Sequence, residues 1–118
     1  MIIPVAQRGL ERARIVVDDF EQRLARVGAR FVYVFDPDER EGRTWDNAGT
    51  VEDAATGSAA GPAAAYLAAH GLAAHNEAMI VKQGRFLGRP SKIAVAPHSG
   101  GELCVGGPVA PVARGVLG

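Results

Sequence analysis

Glu52-Asp53-Ala54-Ala55-Thr56-Gly57-Ser58-Ala59-Ala60-Gly61 runs directly into Pro62-Ala63-Ala64-Ala65-Tyr66-Leu67-Ala68-Ala69-His70. Carboxylates, hydroxyls and glycines thus lead into a stretch that is almost pure alanine. From about Ser58 to His70 nearly every position is Ala, Tyr or Leu, and a helix with so little polar surface has to be enclosed by other elements. Alanine also lets surrounding strands come close to the helix axis. The expected architecture is a sheet built around one central helix.

The flanking sequence supplies that sheet. Phe31-Val32-Tyr33-Val34-Phe35 is wholly β-branched or aromatic, is bounded by Gly28 and Asp36-Pro37-Asp38, and reads as a strand buried on both faces. Ile2–Val5 reads as a short strand. Between them, Phe20, Leu24 and Val27 recur at helical spacing over Asp18–Val27, with Asp18 and Asp19 at the positive end and Gly28 placed to stop the helix. Glu39–Asn47 is charged and reads as a solvent-exposed turn, then a strand around Arg43–Asp46 that carries the single tryptophan, Trp45. Asn47–Val51 reads as a loop. After Gly71 the sequence predicts four strands, Ala78–Lys82, Ser91–Ala96, Glu102–Val105 and Val109–Ala113. Gly and Pro turns separate them, which implies an antiparallel meander. The order of strand, helix, strands, buried helix and strands implies an α+β domain whose sheet curls around the helix.

A chain of 118 residues fits one domain, here 1–118, and can bury its own core. Lys plus Arg and Asp plus Glu each number 13, so no general pull toward nucleic acid or anionic membrane is expected. Residues 1–53 carry 8 basic and 11 acidic groups and residues 54–118 carry 5 and 2, leaving the glycine-rich half mildly positive. The lone Cys104 cannot close an internal disulfide, and no Cys/His ligand cluster appears, so a cytoplasmic protein with a metal-free site is expected. The start of the chain lacks the pattern of a signal peptide, and no run reaches membrane-spanning length. Cys104, flanked by Leu103 and Val105, is expected to be a buried inert thiol. His70, His75 and His98 are assigned surface or capping roles. The basic run Arg85, Arg89 and Lys92 fits a solvated hairpin, or an attraction for an anionic substrate.

Helix N-termini leave N–H groups unpaired and carry partial positive charge, so the turn Thr56-Gly57-Ser58-Ala59 suits a carboxylate or phosphate. The bland alternative is that Asp53 and Thr56 merely cap the helix. A cap at Ser58 and one at Gly61 both have support, and Pro62 stiffens the first turn. No lysine follows the glycines and neither nucleotide-binding spacing is present, so nucleotide binding is disfavoured.

Glu52-Asp53-Ala54-Ala55-Thr56-Gly57-Ser58-Ala59 resembles the Glu-Asp-Pro-Ala-Thr-Gly-Ser-Ala signature of the phenazine-biosynthesis isomerase (PhzF) family, within the diaminopimelate epimerase-like fold. Val81-Lys82-Gln83-Gly84 followed by Gly88-Arg89-Pro90-Ser91 resembles that family's Gln-Gly and Gly-Arg-Pro-Ser hairpin. Ile3-Pro4-Val5, Tyr33-Val34-Phe35, Tyr66-Leu67 and Val105-Gly106-Gly107 fall in the family's order. The resemblance covers essentially the whole chain, but only the second of the family's two lobes. It implies a sheet wrapped around a central helix, with the active site in the cleft between lobes. The implied reaction is cofactor-free proton transfer between carbons of a small carboxylate-bearing substrate.

By the same resemblance, Asp53 and Ser58 are the catalytic candidates. Thr56, Gly57, Ser58 and Ala59 are the substrate-binding candidates, with the Gly57 and Ser58 backbone as the carboxylate cradle. The family's catalytic glutamate and assisting histidine belong to the first lobe, and no position here matches either. Ala54 replaces the signature's proline, Pro62 stands where the family has a small or apolar residue, and the loop Trp45–Val51 departs from the family pattern. Two expectations follow. One is an isomerase lobe completed by homodimerisation or a complementary lobe, with Asp53 or Glu52 as acid/base in the dimer. The other is a non-catalytic carboxylate-binding domain or inactive remnant.

Overall fold

Tyr33, Val34, Phe35 and Asp36 form the strand β2 (Tyr33–Asp36), and all four are buried, as a β-branched and aromatic run requires. In the computed structural model, which describes residues 1–116 and 118, β2 pairs in parallel with β1 (Ile2–Pro4) and antiparallel with β3 (Glu41–Arg43). The β2–β3 turn is held by Asp36, whose Oδ1 accepts the amides of Asp38 at 3.0 Å and Glu39 at 3.2 Å. β4 (Met79–Gln83) joins β3 in parallel, and β5 (Ser91–Pro97) and β6 (Leu103–Gly106) continue antiparallel. The six strands lie in chain order, giving a mixed, mostly antiparallel sheet.

The alanine run forms α3 (Gly57–Ala69), which crosses over between β3 and β4. It touches β4, β5 and β6 and also β1 at the opposite edge of the sheet, so the sheet curls around it. Ala59, Ala60, Ala63, Ala64 and Leu67 pack on Tyr33, Phe35, Met79, Val81, Ile93 and Val95 to make the core. Enclosure is partial, however. Ser58, Pro62, Ala65 and Ala69 remain exposed along the outer side of the helix, because the six strands cover one side only.

Several other expectations change. Glu41, Gly42, Arg43 and Thr44 are buried, not part of a solvent-exposed turn, because their charges are paired internally. Val109–Ala113 forms no strand, and Val109 and Val112 are 87% and 96% exposed. Pro108 and Pro111 lack the N–H groups that a ladder requires. Cys104 is exposed: on edge strand β6, Leu103 and Val105 lie toward Gly61 of α3, so Cys104 falls on the other face. The predicted helix Asp18–Val27 is shorter, as α2 (Phe20–Arg26). A further helix, α1 (Gln7–Arg12), escaped the pattern because Leu10 is its single buried residue.

Candidate functional site

The signature turn is anchored on both sides before α3 begins. On one side, Trp45 and Glu52 form an antiparallel bridge, and the Asp53 amide donates to Thr44 O at 3.1 Å. Arg43 grips the Glu52 carboxylate with two bonds, Nε to Oε1 at 2.8 Å and Nη2 to Oε2 at 2.7 Å. The same guanidinium stacks on Trp45 and Phe86, 4.7 and 4.2 Å from their ring centroids, and donates to Leu10 O at 2.9 Å. Glu52 is therefore a structural ligand of Arg43, which removes it as an acid/base candidate.

On the other side stands Gln83, which is buried within the sheet. Its Nε2 donates to Asp53 O and to Thr56 Oγ1, both at 2.8 Å. Its Oε1 accepts the Tyr33 hydroxyl at 3.0 Å and the Thr56 amide at 3.2 Å. Burial pushes the Tyr33 phenol well above its ordinary pKa, and the nearby charges of Asp53 and Glu41 add to this, so it remains a neutral donor. Gly84, with φ +82°, brings the hairpin against the turn: a Cβ there would meet Ala54 O at 2.7 Å. Only glycine takes that conformation without strain.

Asp53 itself is exposed. Its Oδ2 accepts the Thr56 hydroxyl at 2.7 Å, and its Oδ1 accepts the Ala55 amide at 3.3 Å. Thr56 occupies the position just before α3 but makes no side-chain capping bond, since its hydroxyl is engaged with Asp53 and Gln83. Ser58 and Gly61 lie inside the helix, so neither is the cap. Thr56 O accepts the amides of Ala59 at 3.1 Å and Ala60 at 3.2 Å. Among the described residues, the amides of Gly57 and Ser58 meet no acceptor. Of the substrate-binding candidates, Ala59 is buried with its amide taken, and the Thr56 amide is held by Gln83. Gly57 and Ser58 keep theirs free.

Two hollows meet at this turn. Asp53, Thr56 and Ser58 line one of about 270 Å³, together with Phe31, Thr44, Trp45 and Asp46. Ala55 and Gly57 border a larger groove of about 790 Å³, where Arg85 and Lys92 of the basic run also lie. Arg85 is paired with Glu41 at 2.8 Å.

Asp46 organises the wall of the smaller hollow. Its carboxylate accepts the Thr50 hydroxyl at 2.6 Å and the amides of Thr50 and Val51 at 2.7 and 3.0 Å. These bonds, the Thr50 hydroxyl foremost, hold its pKa below the usual carboxylate range. A carboxylate with a lowered folded-state pKa stabilises the fold fully above its unfolded value, about pH 4, and loses that contribution as pH falls through the folded value. Urea midpoints between pH 7 and pH 3 are therefore expected to fall less steeply for Asp46→Asn than for the wild type.

A curled mixed sheet on an alanine helix, with an acid-bearing turn at the helix N-terminus, is the α+β fold of a PhzF-like epimerase. The chain belongs to the phenazine biosynthesis-like protein family, whose model matches residues 36–109. It is 46% identical over 54 residues to a trans-2,3-dihydro-3-hydroxyanthranilate isomerase of Pseudomonas aeruginosa, covering 46% of this chain and 19% of that protein. It is 56% identical over 43 residues to the enzyme of that name from Pseudomonas chlororaphis, covering 36% of this chain and 16% of that protein. A solved structure described as a predicted epimerase from Pseudomonas aeruginosa superposes with a TM-score of 0.89 at 53% identity, covering 99% of this chain and 41% of that one. The chain thus spans well under half the length of that structure. Among the described residues, no helix is long and apolar enough to cross a membrane.

Sequence reasoning alone missed the roles of Arg43, Tyr33 and Gln83 around the turn. Gln83 carried a signal only through the resemblance of its hairpin. Tyr33 likewise entered only within the resembling run Tyr33-Val34-Phe35, and Arg43 carried none, since their partners lie 50 and 9 positions away in the chain.

Proposed function

We propose that this chain is one lobe of a PhzF-like isomerase, moving a proton between carbons of a small carboxylate-bearing substrate without a cofactor. One observation carries the reading: the free amides of Gly57 and Ser58 stand beside an exposed carboxylate, Asp53, whose orientation Thr56 holds. The two amides and the positive end of α3 would hold the substrate carboxylate and stabilise negative charge spreading onto it as the proton leaves carbon. Asp53 would accept that proton or return it at the second carbon, and the Ser58 hydroxyl would hydrogen-bond the substrate. The proposed substrate position is where the two hollows meet at Gly57 and Ser58, with the reacting carbons toward the smaller one, onto which all three polar side chains of the turn open. A complementary lobe or a second copy of the chain would close the cleft and supply the other proton-transfer group. The relatives named as isomerases act on a ring carboxylate, and we place this chain's substrate in the same chemical class. The lone, unpaired cysteine agrees with a cytoplasmic setting.

The test is deuterium incorporation from heavy water into cyclic carboxylates, with binding measured in parallel. Asp53→Asn is expected to lower the exchange rate by about 10²–10⁴-fold, the usual contribution of a positioned acid/base. Asp53→Ala and Ser58→Ala are expected to weaken carboxylate binding with the fold intact. Unchanged binding by both would reduce the turn to a purely structural role. The second reading, a non-catalytic carboxylate-binding domain, is favoured by the lining of the smaller hollow, where Asp46 is committed to Thr50 and Val51 and leaves Asp53 as the one carboxylate placed to move a proton. Binding without exchange would select it.

A further inference from the structure

We infer that Gln83 is a positioning residue for the site, acting through Thr56 to aim the Asp53 carboxylate and to keep the helix amides free. The inference rests on the proposed carboxylate site and adds the device that holds it ready. Gln83 is 1% exposed, and both ends of its amide are fully used: two donor bonds and two acceptor bonds. Each bond has one permitted direction. The Thr56 amide can only donate, so the oxygen of Gln83 must face it. The Asp53 carbonyl can only accept, so the nitrogen must face that. With its oxygen already receiving from Gln83, the Thr56 hydroxyl is left with its proton for Asp53 Oδ2 at 2.7 Å. Tyr33 donates from the core side and fixes the amide plane.

The consequence reaches the helix end. The hydroxyl best placed to cap α3 is committed sideways, and the first amide of the turn, that of Thr56, is consumed by Gln83. The next two, those of Gly57 and Ser58, stay unsatisfied and available. A hydrophobic residue at position 83 would leave Thr56 free to turn back and cap the helix, closing the anion site from within. A glutamate there would still accept from Tyr33 and the Thr56 amide. It would offer no donor to Thr56 Oγ1, so the Thr56 hydroxyl would turn its proton toward position 83 and release Asp53.

The experiment compares wild type, Gln83→Glu and Thr56→Val by NMR in the full chain, titrating 3-hydroxyanthranilate as the probe. In the wild type, the Gly57 and Ser58 amide signals are expected to move on addition of the probe. In Gln83→Glu, the Asp53 side-chain carboxyl carbon is expected to shift without any probe present, and affinity to fall about tenfold, the effect of losing one hydrogen bond to a charged or oriented group. Thr56→Val is expected to displace the same Asp53 signal, and Gln83→Glu added to it is expected to displace that signal no further, because both act along one path. An Asp53 signal unmoved in Gln83→Glu, with wild-type affinity, overturns the inference. So does full additivity of the two substitutions. If Gln83→Glu does not fold, Thr56→Val alone decides, since an unmoved Asp53 signal there removes the link. Failure of the wild-type Gly57 and Ser58 amides to respond to the probe or any other small carboxylate defeats the proposed site instead, while the Asp53 signal still judges Gln83.

Discussion

Arg43→Ala is expected to lower the unfolding free energy by about 3–5 kcal/mol, the range for breaking a buried ion pair from one side. The side chains of Arg43 and Glu52 are only 10% and 8% exposed, so removing the guanidinium strands a desolvated carboxylate. It also removes the donor to Leu10 O that fastens α1 to the sheet, and the cation that sits between the Trp45 and Phe86 rings. Urea unfolding would measure the loss. The double variant Arg43→Met with Glu52→Leu is expected to be more stable than Arg43→Ala alone, because no unpaired charge remains. Equal stability of the two would mean that the pair matters through packing and not through charge. Because Glu52 precedes Asp53, the single variant should also weaken carboxylate binding.

Gly42→Ala is expected to destabilise the protein by about 2–3 kcal/mol, at the upper end for adding a methylene to a packed core. A Cβ built on Gly42 falls among the ring atoms of Tyr33. Tyr33 is fully buried against Phe35 and the alanine helix, so the ring has little room to yield. Any movement also pulls its hydroxyl from Gln83, so the damage should extend from the core to the signature turn. Thermal unfolding checks the first effect, and the Asp53 carboxyl signal checks the second. Adding Tyr33→Val to Gly42→Ala is expected to relieve the clash while leaving the Asp53 signal displaced. A Gly42→Ala protein as stable as wild type would show that β3 can slide away from β2.

These two sites explain why parts of the molecule were hidden in the sequence. A strand such as β2 announces itself through its own residues, and α3 through its composition and the turn before it. β3 does not, because Glu41, Gly42 and Arg43 look like surface residues. They are buried only because Arg85, Tyr33 and Glu52 come to meet them. Val109–Ala113 shows the reverse error. Its short apolar run resembles a strand, yet a strand needs a neighbour, and the chain leaves these residues exposed beyond the edge at β6.

The sequence determined the local parts: an alanine helix that strands can approach closely, a glycine-bearing acidic turn at its start, and most of the strands that surround it. Those follow from side-chain size, backbone freedom and apolar pattern, which each segment carries within itself. Tertiary structure decided which polar groups of the turn are spent and which remain available. Gln83 reaches the turn from 27 positions away and Arg43 grips it from the opposite side. Hydrogen bonds have direction and limited number, so it is these distant partners that leave Gly57, Ser58 and Asp53 facing outward.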